Sequence, residues 1–551
     1  MKKPLAPISV DAKSERVGAR TFGLVTLAIL SSRILGLARE MLLAYFFGGK
    51  KKEWFDCFIV AFRMPNMLRD LFAEGALSTA FVTIFSKRAQ TEGDESAWSL
   101  ASKVMTLATV VMSLISIMGV IFAGPITHLM APGWVESSPE KIEFTIMLAR
   151  IMYPFILLVS LAALVMGMLN SKKVFGMPAM ASTFFNIFSM LGGGIIGWLM
   201  DPHFEKNALI GFAIGTLIGG LAQLGVQIPS LRRVGYRFHF DFNWKDSGVR
   251  RVLQLMWPAV LSGSVVQFNV LLNGIFASYL VLKNGPVMWL NNSFRLIQLP
   301  LGLFGVAVAT ITLPAMSRLA TEGVSEGFKT TLVRGIKLVF LMTLPSAVGM
   351  ALLAEPIIGI IYQRGNFTPE DTAMTALALR TYAWGLVFYS GIKVLQPAFY
   401  AIERRYIPLL VSIAAVLTSL VSNYLTVYRW KLGHEYLALG TSISAAVNFT
   451  LLFIAMRSVA HGMNTRELAM NMLKLLISCA AMAGVCFLGR QTILQNFMDQ
   501  ALMIKIATLG STISVAAGVY FLVNALLKNE EVGDMKKLFL RKLGRGRSTF
   551  N

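Results

Sequence analysis

Long apolar segments recur along the whole chain, and they restrict it to folds that are built in a lipid bilayer. A helix needs about 20 apolar residues to cross the roughly 30 Å hydrocarbon core of a membrane. By this criterion the sequence predicts about fourteen membrane-spanning helices. They lie near residues 21–47, 55–85, 103–122, 146–170, 175–200, 208–229, 255–282, 289–317, 336–353, 380–402, 407–428, 437–456, 470–488 and 504–527.

The composition supports the same class of protein. Of the 551 residues, 55% are hydrophobic and only 15% are charged, whereas soluble domains carry about 25% charged residues. The net charge of +22 resides largely in short loops between apolar segments. This placement favours anionic membrane lipids over nucleic acid as the partner. We therefore predict an all-α polytopic membrane protein that binds no nucleic acid.

The basic residues also predict the orientation of the helices. Clusters of lysine and arginine occur in both terminal segments and in alternate loops, at residues 87–88, 172–173, 232–251, 318–337, 404–405 and 457–474. The positive-inside rule assigns these loops and both termini to the cytoplasm. Lys50, Lys51 and Lys52 are an exception on the other face.

The order of the predicted helices suggests two lobes of six helices with two further helices at the C-terminus. Residues 71–82 resemble residues 303–314, and each stretch follows an arginine-bearing helix, which indicates an internal repeat with a pseudo-two-fold axis along the membrane normal. The predicted divisions are a cytoplasmic segment 1–20, an N-lobe 21–230, a cytoplasmic interfacial linker 231–253, a C-lobe 254–456, two C-terminal helices 457–527 and a basic cytoplasmic tail 528–551.

Charged side chains in the first two predicted helices form the candidate functional site. Ionisable groups at bilayer depth cost roughly 2.5–3.5 kcal/mol each on insertion scales, so they persist mainly where they line a polar cavity. Two acids near a helix end, Asp70 and Glu74, are expected instead to hold helices together through arginine pairs. The remaining polar side chains of this region are Arg33, Arg39, Glu40, Asp56, Arg63, Asn66 and Arg69.

The excess of arginine predicts that the cavity binds an anion. Arg33 and Glu40 return to nearly the same helix face because they are seven residues apart. Arg295, close to Gln298, supplies a further cation from the second lobe. A guanidinium group matches phosphate oxygens bidentately and stays protonated. The sequence therefore predicts recognition of a phosphate- or diphosphate-bearing anion at bilayer depth.

Other candidate sites are weaker. Asn269 and Asn273 share one face of the seventh predicted helix and are candidate sodium ligands, although a structural hydrogen bond is the favoured interpretation. The three cysteines lie in apolar surroundings without CxxC or zinc spacing. We therefore predict no cofactor and no resident metal.

Several blocks of sequence around the arginines are typical of one family. They are residues 32–40, 56–62, 65–69, 72–82, 295–307, 355–357 and 362–368. In these blocks the chain resembles the MurJ/MviN family of lipid II flippases, within the multidrug/oligosaccharidyl-lipid/polysaccharide exporter superfamily. The resemblance extends over roughly residues 21–527.

The resemblance implies fourteen transmembrane helices in two six-helix lobes, and a central cavity that opens to one side at a time. It also implies that residues 457–527 help to form a groove for an undecaprenyl tail. The family's cavity arginines match Arg33, Arg39, Arg69 and Arg295, and its acidic partner matches Asp56.

Two positions depart from the pattern of the family. Gln298 stands where many members have glutamate, which makes this part of the cavity less acidic. Asn273 stands where some members have aspartate for sodium, which leaves the membrane potential or another coupling cation as the driving force.

The function that this resemblance implies is translocation of lipid II from the cytoplasmic to the periplasmic leaflet of the bacterial inner membrane, by a monomer in contact with membrane lipids. No bond is made or broken, so we predict a transporter and not an enzyme. One alternative is a cation-coupled multidrug exporter, or an exporter of another polyprenyl-linked oligosaccharide. A second is a membrane-embedded glycosyltransferase, which the lack of an Asp-x-Asp motif and of a long extramembrane loop disfavours.

Overall fold

Helices joined by turns and loops form the secondary structure of the described chain. The computed structural model describes residues 12–71, 77–280, 284–320, 323–495 and 497–533, and no strand occurs among them. The first eleven residues of the predicted N-terminal segment, Glu74 and the part of the predicted basic tail beyond residue 533 lie outside the described residues. The predicted all-α class is confirmed.

The helices are numbered in chain order. Their bounds are α1 (Ala12–Phe47), α2 (Lys52–Leu68), α3 (Ser78–Thr91), α4 (Asp94–Ile121), α5 (Ala123–Met130), α6 (Pro132–Ser137), α7 (Pro139–Met152), α8 (Phe155–Ser171), α9 (Gly176–Met200), α10 (Ala208–Gly225), α11 (Ile228–Arg233), α12 (Ser247–Ser278), α13 (Pro286–Pro300), α14 (Ala307–Leu319), α15 (Glu326–Leu352), α16 (Ala354–Tyr362), α17 (Pro369–Ala401), α18 (Tyr406–Tyr424), α19 (His434–Val459), α20 (Thr465–Gln491) and α21 (Leu502–Leu526).

Ten helical stretches of the described chain are long and apolar enough to cross a membrane. They are Asp94–Ile121, Pro139–Ser171, Gly176–Met200, Ala208–Arg233, Pro286–Leu319, Glu326–Leu352, Tyr406–Arg429, His434–Val459, Thr465–Gln491 and Leu502–Leu526. The other four predicted spans coincide with α1, with α2 and α3 together, with α12 and with α17. A count of about fourteen spans therefore stays a prediction.

Two prolines lie inside helices that carry candidate site residues. Helix α2 continues through Pro65 to Leu68 and passes into a wider π turn at residues 69–71. Helix α13 ends at Pro300, and a π-helical segment, Leu301–Val306, joins it to α14. Proline cannot donate a backbone hydrogen bond, so a local change of helix geometry at these points is expected.

The chain forms two compact units. The first contains the described residues up to Leu43 together with Cys57–Leu129 and Ser138–Gln267. One core lies between α3, α4 and α8 and is closed by Tyr236, in the loop that leads to α12. A smaller core joins α8 to α9 through Phe155 and Phe185.

The second unit contains Ala44–Asp56, Met130–Ser137 and the described residues from Phe268 onward. Helix α17 lies at its centre and packs against α13, α15, α16 and α19. Helices α20 and α21 pack against each other and against α15, where the buried Tyr520 hydroxyl donates to the Leu341 carbonyl at 2.7 Å. The predicted lobe boundaries and pseudo-two-fold symmetry stay predictions.

Candidate functional site

Arg33 lies on α1, where its residue is exposed. The neighbouring turn of α1 packs on α9, because the Asn186 amide donates to the Ser32 carbonyl at 3.2 Å. A Cβ atom at Gly36 would meet this amide at 3.7 Å, an ordinary contact distance. A methyl group would therefore fit between α1 and α9 at this position, and Arg33 stands on an accessible part of the helix.

Arg39 is enclosed by aromatic rings and a carboxylate. Its guanidinium carbon lies 5.9 Å from the ring centre of Phe62 and 5.3 Å from that of Phe185. The same group donates from Nη2 to Oε1 of the buried Glu40 at 3.1 Å. Two aromatic faces and a carboxylate stabilise a guanidinium group that has lost most of its water. Arg39 therefore links α1, α2 and α9 within the first unit.

Arg69 follows α2 and is bound to the next residue. Its Nη2 and Nε atoms lie 2.7 and 3.1 Å from Oδ1 of Asp70. The other carboxylate oxygen of Asp70 accepts from the Gln267 amide of α12 at 3.3 Å. This bridge agrees with the interpretation that Asp70 holds helices together. Arg63 and Asn66 are half-buried on α2.

Asp56 occupies the beginning of another helix. Its residue is 0% exposed, and its two carboxylate oxygens accept from the backbone amides of Gly285 at 3.0 Å and Met288 at 2.8 Å. The first amides of a helix lack partners in the helix and attract negative charge. Asp56 therefore caps α13, and this position favours a structural role over the predicted role as the acidic partner of the arginines.

Arg295 and Gln298 are half-buried on α13, in the second unit. The residue at position 292 on the same helix is a fully buried asparagine whose amide nitrogen and oxygen both lack a hydrogen-bond partner. Unsatisfied polar groups at such a place are costly and usually accompany ordered water or function. The predicted approach of Arg295 to the arginines of the first unit stays a prediction.

The two candidate sodium ligands belong to a polar cluster inside the second unit. The Asn423 amide donates to the Asn273 oxygen at 2.6 Å, and the Asn273 amide donates to the Asn269 oxygen at 3.4 Å and the Thr441 hydroxyl at 3.0 Å. The hydroxyl of Ser419 lies 3.5 Å from the Asn269 oxygen. Each of these four contacts joins two uncharged groups. This hydrogen-bonded chain supports the favoured structural interpretation, and sodium binding stays a prediction.

A second buried aspartate was not predicted from the sequence. Asp371 is 0% exposed and accepts from the Gly49 amide at 2.8 Å, the Trp289 indole at 3.0 Å and Lys52 at 3.3 Å. Thr368 and Asp371 also form a capping box at the start of α17. The spacing from Thr368 to Asp371 is a readable signal for that cap, but the long-range partners are not readable. Asp371 thus pairs with Lys52, one of the three lysines that violate the charge pattern.

Metal-binding residues are not clustered in the described part of the chain. No group of three or more histidine, cysteine, aspartate or glutamate side chains among those residues is arranged to hold a metal ion.

Comparison with known proteins supplies the family. The family model described as "Lipid II flippase MurJ" matches residues 43–508. The chain belongs to the MurJ family. The resemblance seen in the sequence is thereby confirmed. A flippase moves a lipid without making a bond, so membership of the MurJ family agrees with the prediction of a transporter and not an enzyme.

Individual relatives cover most of the chain. The probable lipid II flippase MurJ of Vibrio cholerae is 32% identical over 512 residues, which are 92% of this chain and 95% of the relative. The lipid II flippase MurJ of Burkholderia cenocepacia is 34% identical over 432 residues, which are 78% of this chain and 81% of the relative.

Solved structures give the same result. A lipid II flippase MurJ in an inward closed conformation matches with a TM-score of 0.71 and 25% identity, over 90% of this chain and 98% of that protein. An inward-facing multidrug resistance MATE family transporter of the MOP superfamily matches with a TM-score of 0.64 and 17% identity, over 78% of this chain and 95% of that protein. The second likeness concerns the fold alone.

Proposed function

We propose that this chain is a lipid II flippase of the bacterial inner membrane, which moves the undecaprenyl-diphosphate-linked cell-wall precursor from the cytoplasmic to the periplasmic leaflet. The observation that carries the proposal is the match to the MurJ family over residues 43–508. The ten long apolar stretches of the described chain support a protein that works within the bilayer.

The arginines contribute the affinity for the diphosphate in this proposal. A guanidinium group offers a planar fork of donors that fits two phosphate oxygens, and each such charge-assisted hydrogen bond is worth about 1.5–3 kcal/mol. Arg33 is the primary candidate, because it is exposed while Arg39 is held between two aromatic rings. Arg69 and Arg295 are half-buried and complete the proposed set.

Transport would follow from alternating access, in which the two lobes rock around a central cavity and expose it to one face of the membrane at a time. The undecaprenyl tail would stay in a groove that α20 and α21 help to form. Helices α20 and α21 carry many exposed apolar side chains, including Leu476, Phe487 and Leu522, which suit contact with hydrocarbon. Sodium, protons or the membrane potential would drive the cycle.

A depletion–rescue assay tests the proposal. Cells that lose their own lipid II flippase should survive on the wild-type chain, and depletion without it should raise the amount of lipid II in the cytoplasmic leaflet. Arg33→Ala and Arg295→Ala, each expressed at the wild-type level, should lower rescue by about tenfold or more, because each removes a charge-assisted contact.

Arg404→Ala is the matched control, since Arg404 is an exposed arginine in the loop between α17 and α18. It should rescue as well as the wild type. Full rescue by both Arg33→Ala and Arg295→Ala would remove the diphosphate-binding role. Resistance to drugs without any effect on lipid II would instead favour a multidrug exporter.

A further inference from the structure

The loop between α11 and α12, residues 234–246, is folded back along a membrane helix of the first unit. We call it the linker loop. The Ser102 hydroxyl of α4 lies 3.2 Å from the Tyr236 hydroxyl and 3.3 Å from Nδ1 of His239. One turn further along α4, the Thr106 hydroxyl accepts from the Asp241 amide at 3.1 Å. The linker loop therefore advances along α4 between these contacts.

The end of the linker loop returns toward the beginning of α4. Asp246 accepts from Lys103 at 2.9 Å and from Arg88 at 2.8 Å. Burial raises the pKa of Asp246, but the hydrogen bonds from Arg88 and Lys103 outweigh it and hold that pKa well below its usual range. The carboxylate is thus ionised at every physiological pH, and it fixes the second end of the linker loop.

The sequence of α4 indicates the depth of these contacts in the membrane. Residues 104–121 carry no charged side chain and are about 27 Å long at 1.5 Å per residue, close to the roughly 30 Å of a hydrocarbon core. The boundary between headgroups and hydrocarbon therefore falls near Lys103. Thr106 is one turn inside it, so the part of the linker loop around Asp241 reaches that boundary.

Three aromatic side chains at this part of the linker loop are exposed. Phe238, Phe240 and Phe242 are 44%, 66% and 62% exposed. The Phe240 ring centre lies 4.9 Å from that of Phe238 and 6.3 Å from that of Phe242, so the rings form one continuous surface. An apolar patch of this kind on a folded protein usually marks a contact with a partner or a membrane.

Positive charge surrounds the aromatic surface. The segment from 232 to 251 has six lysines and arginines against two aspartates, and one of these acids, Asp246, is already paired. The basic residues are all exposed: Arg232, Arg233, Arg237, Lys245, Arg250 and Arg251. Exposed aromatic rings with a basic rim at the depth of the headgroups fit an anionic lipid surface.

We propose that the linker loop is a binding site for anionic phospholipid, with Phe238, Phe240 and Phe242 inserted at the boundary between headgroups and acyl chains and with the flanking arginines on lipid phosphates. Depth and charge favour lipid over a protein partner, because a protein would have to reach rings placed at the level of the hydrocarbon boundary. This proposal does not depend on the proposed substrate.

Collision measurements on a spin label test the depth of the linker loop. A nitroxide attached to Phe240→Cys in the full chain, reconstituted in vesicles that contain phosphatidylglycerol, should collide more with oxygen than with a water-soluble nickel chelate. The native Cys57, Cys479 and Cys486 are buried and should stay unlabelled. His203→Cys, in an exposed polar loop, is the control with the opposite preference. Equal access of the chelate to both labels would place the rings in water, as for a protein-docking surface, and would overturn the proposal.

Retention of bound lipid tests whether the basic residues of the linker loop bind lipid phosphates. Native mass spectrometry of the full chain should show phosphatidylglycerol bound about 30-fold more weakly when Arg233→Gln is combined with Arg237→Gln, since each basic residue near an anionic surface contributes roughly fivefold. Retention of phosphatidylcholine should not change. Both arginines are exposed, so the thermal midpoint should stay at the wild-type value and exclude misfolding.

The matched control combines Arg404→Gln with Arg405→Gln, two exposed arginines assigned by the charge pattern to the same membrane face. This double variant should retain phosphatidylglycerol as the wild type does. The same loss of phosphatidylglycerol from both double variants, or no loss from either, would contradict a specific site at the linker loop.

Discussion

Arg33 and Arg39 share α1 and have different surroundings, so they should respond differently to substitution. Arg39→Ala removes a guanidinium group that bonds to the buried Glu40 and lies over Phe62 and Phe185. Breaking a buried ion pair typically costs about 3 kcal/mol or more. We expect a clearly lower thermal midpoint for purified Arg39→Ala in detergent, and a smaller loss for Arg39→Lys, which keeps the charge without the planar group.

Arg33→Ala is the control for this experiment because Arg33 is exposed on the same helix. Its midpoint should fall less than that of Arg39→Ala, even where rescue of depleted cells fails. An unchanged midpoint for Arg39→Ala would contradict its role as a link between α1, α2 and α9. Equal losses from the two variants would show that both arginines stabilise the first unit.

The start of α17 gives a prediction at the scale of a structural element. Asp371 is fully buried and bonds to Gly49, Lys52 and Trp289, so Asp371→Asn removes the buried anion that these three donors share. We expect the free energy of unfolding to fall by about 3–5 kcal/mol, the usual range for a broken buried pair. Denaturation of the purified protein, followed by tryptophan fluorescence, measures this loss.

The adjacent carboxylate provides the comparison. The side chain of Glu370 is 61% exposed and lies 3.6 Å from Lys52, and exposed pairs contribute about 0–1 kcal/mol. Glu370→Gln should therefore be nearly neutral. A similar fall in stability for Glu370→Gln and Asp371→Asn would mean that charge alone, and not the buried hydrogen bonds, holds the start of α17.

The secondary-structure elements could be predicted from the sequence more completely than the contacts between them. Apolar length alone located ten spans that the described chain contains, because a bilayer demands long runs that are visible in one dimension. An interfacial linker was predicted at residues 231–253, yet its aromatic residues differ: Tyr236 is buried, while Phe238, Phe240 and Phe242 are exposed. The spacing of aromatic residues in the sequence indicates which side chains share a face. It does not show which neighbouring residue covers each of them.

The site residues show the same limit. Arginine at bilayer depth is anomalous in any sequence, so Arg33 and Arg39 were found from their cost alone. Asp56 was placed with them, but it caps α13, more than 200 residues away in the chain. The partners of Asp371 are as distant, and no local spacing encodes such pairs. The sequence therefore identifies which charges need an explanation, whereas the fold decides which partner explains each of them.

Charge asymmetry predicts a property of the whole molecule, its orientation in the membrane. Basic clusters in alternate loops predict that the loop at residues 201–207 faces the periplasm and that the loop at residues 402–405 faces the cytoplasm. Lys52, on the predicted periplasmic side, is paired with Asp371 and lies 4.9 Å from the ring centre of Trp289. Because its charge is paired, Lys52 counts less against the predicted orientation.

Cysteine accessibility in intact cells checks this orientation. Thiols introduced as His203→Cys and Arg404→Cys are both on exposed residues, while the native cysteines are buried and give little background. A membrane-impermeant maleimide should label His203→Cys in intact cells and Arg404→Cys only after the membrane is opened. The reverse labelling pattern would show that the whole molecule has the opposite orientation. The loops are joined by membrane-spanning helices, so one loop cannot change sides without the others. Labelling of both sites in intact cells would instead point to an even number of spans between them, and so would change the count of helices in that part of the chain.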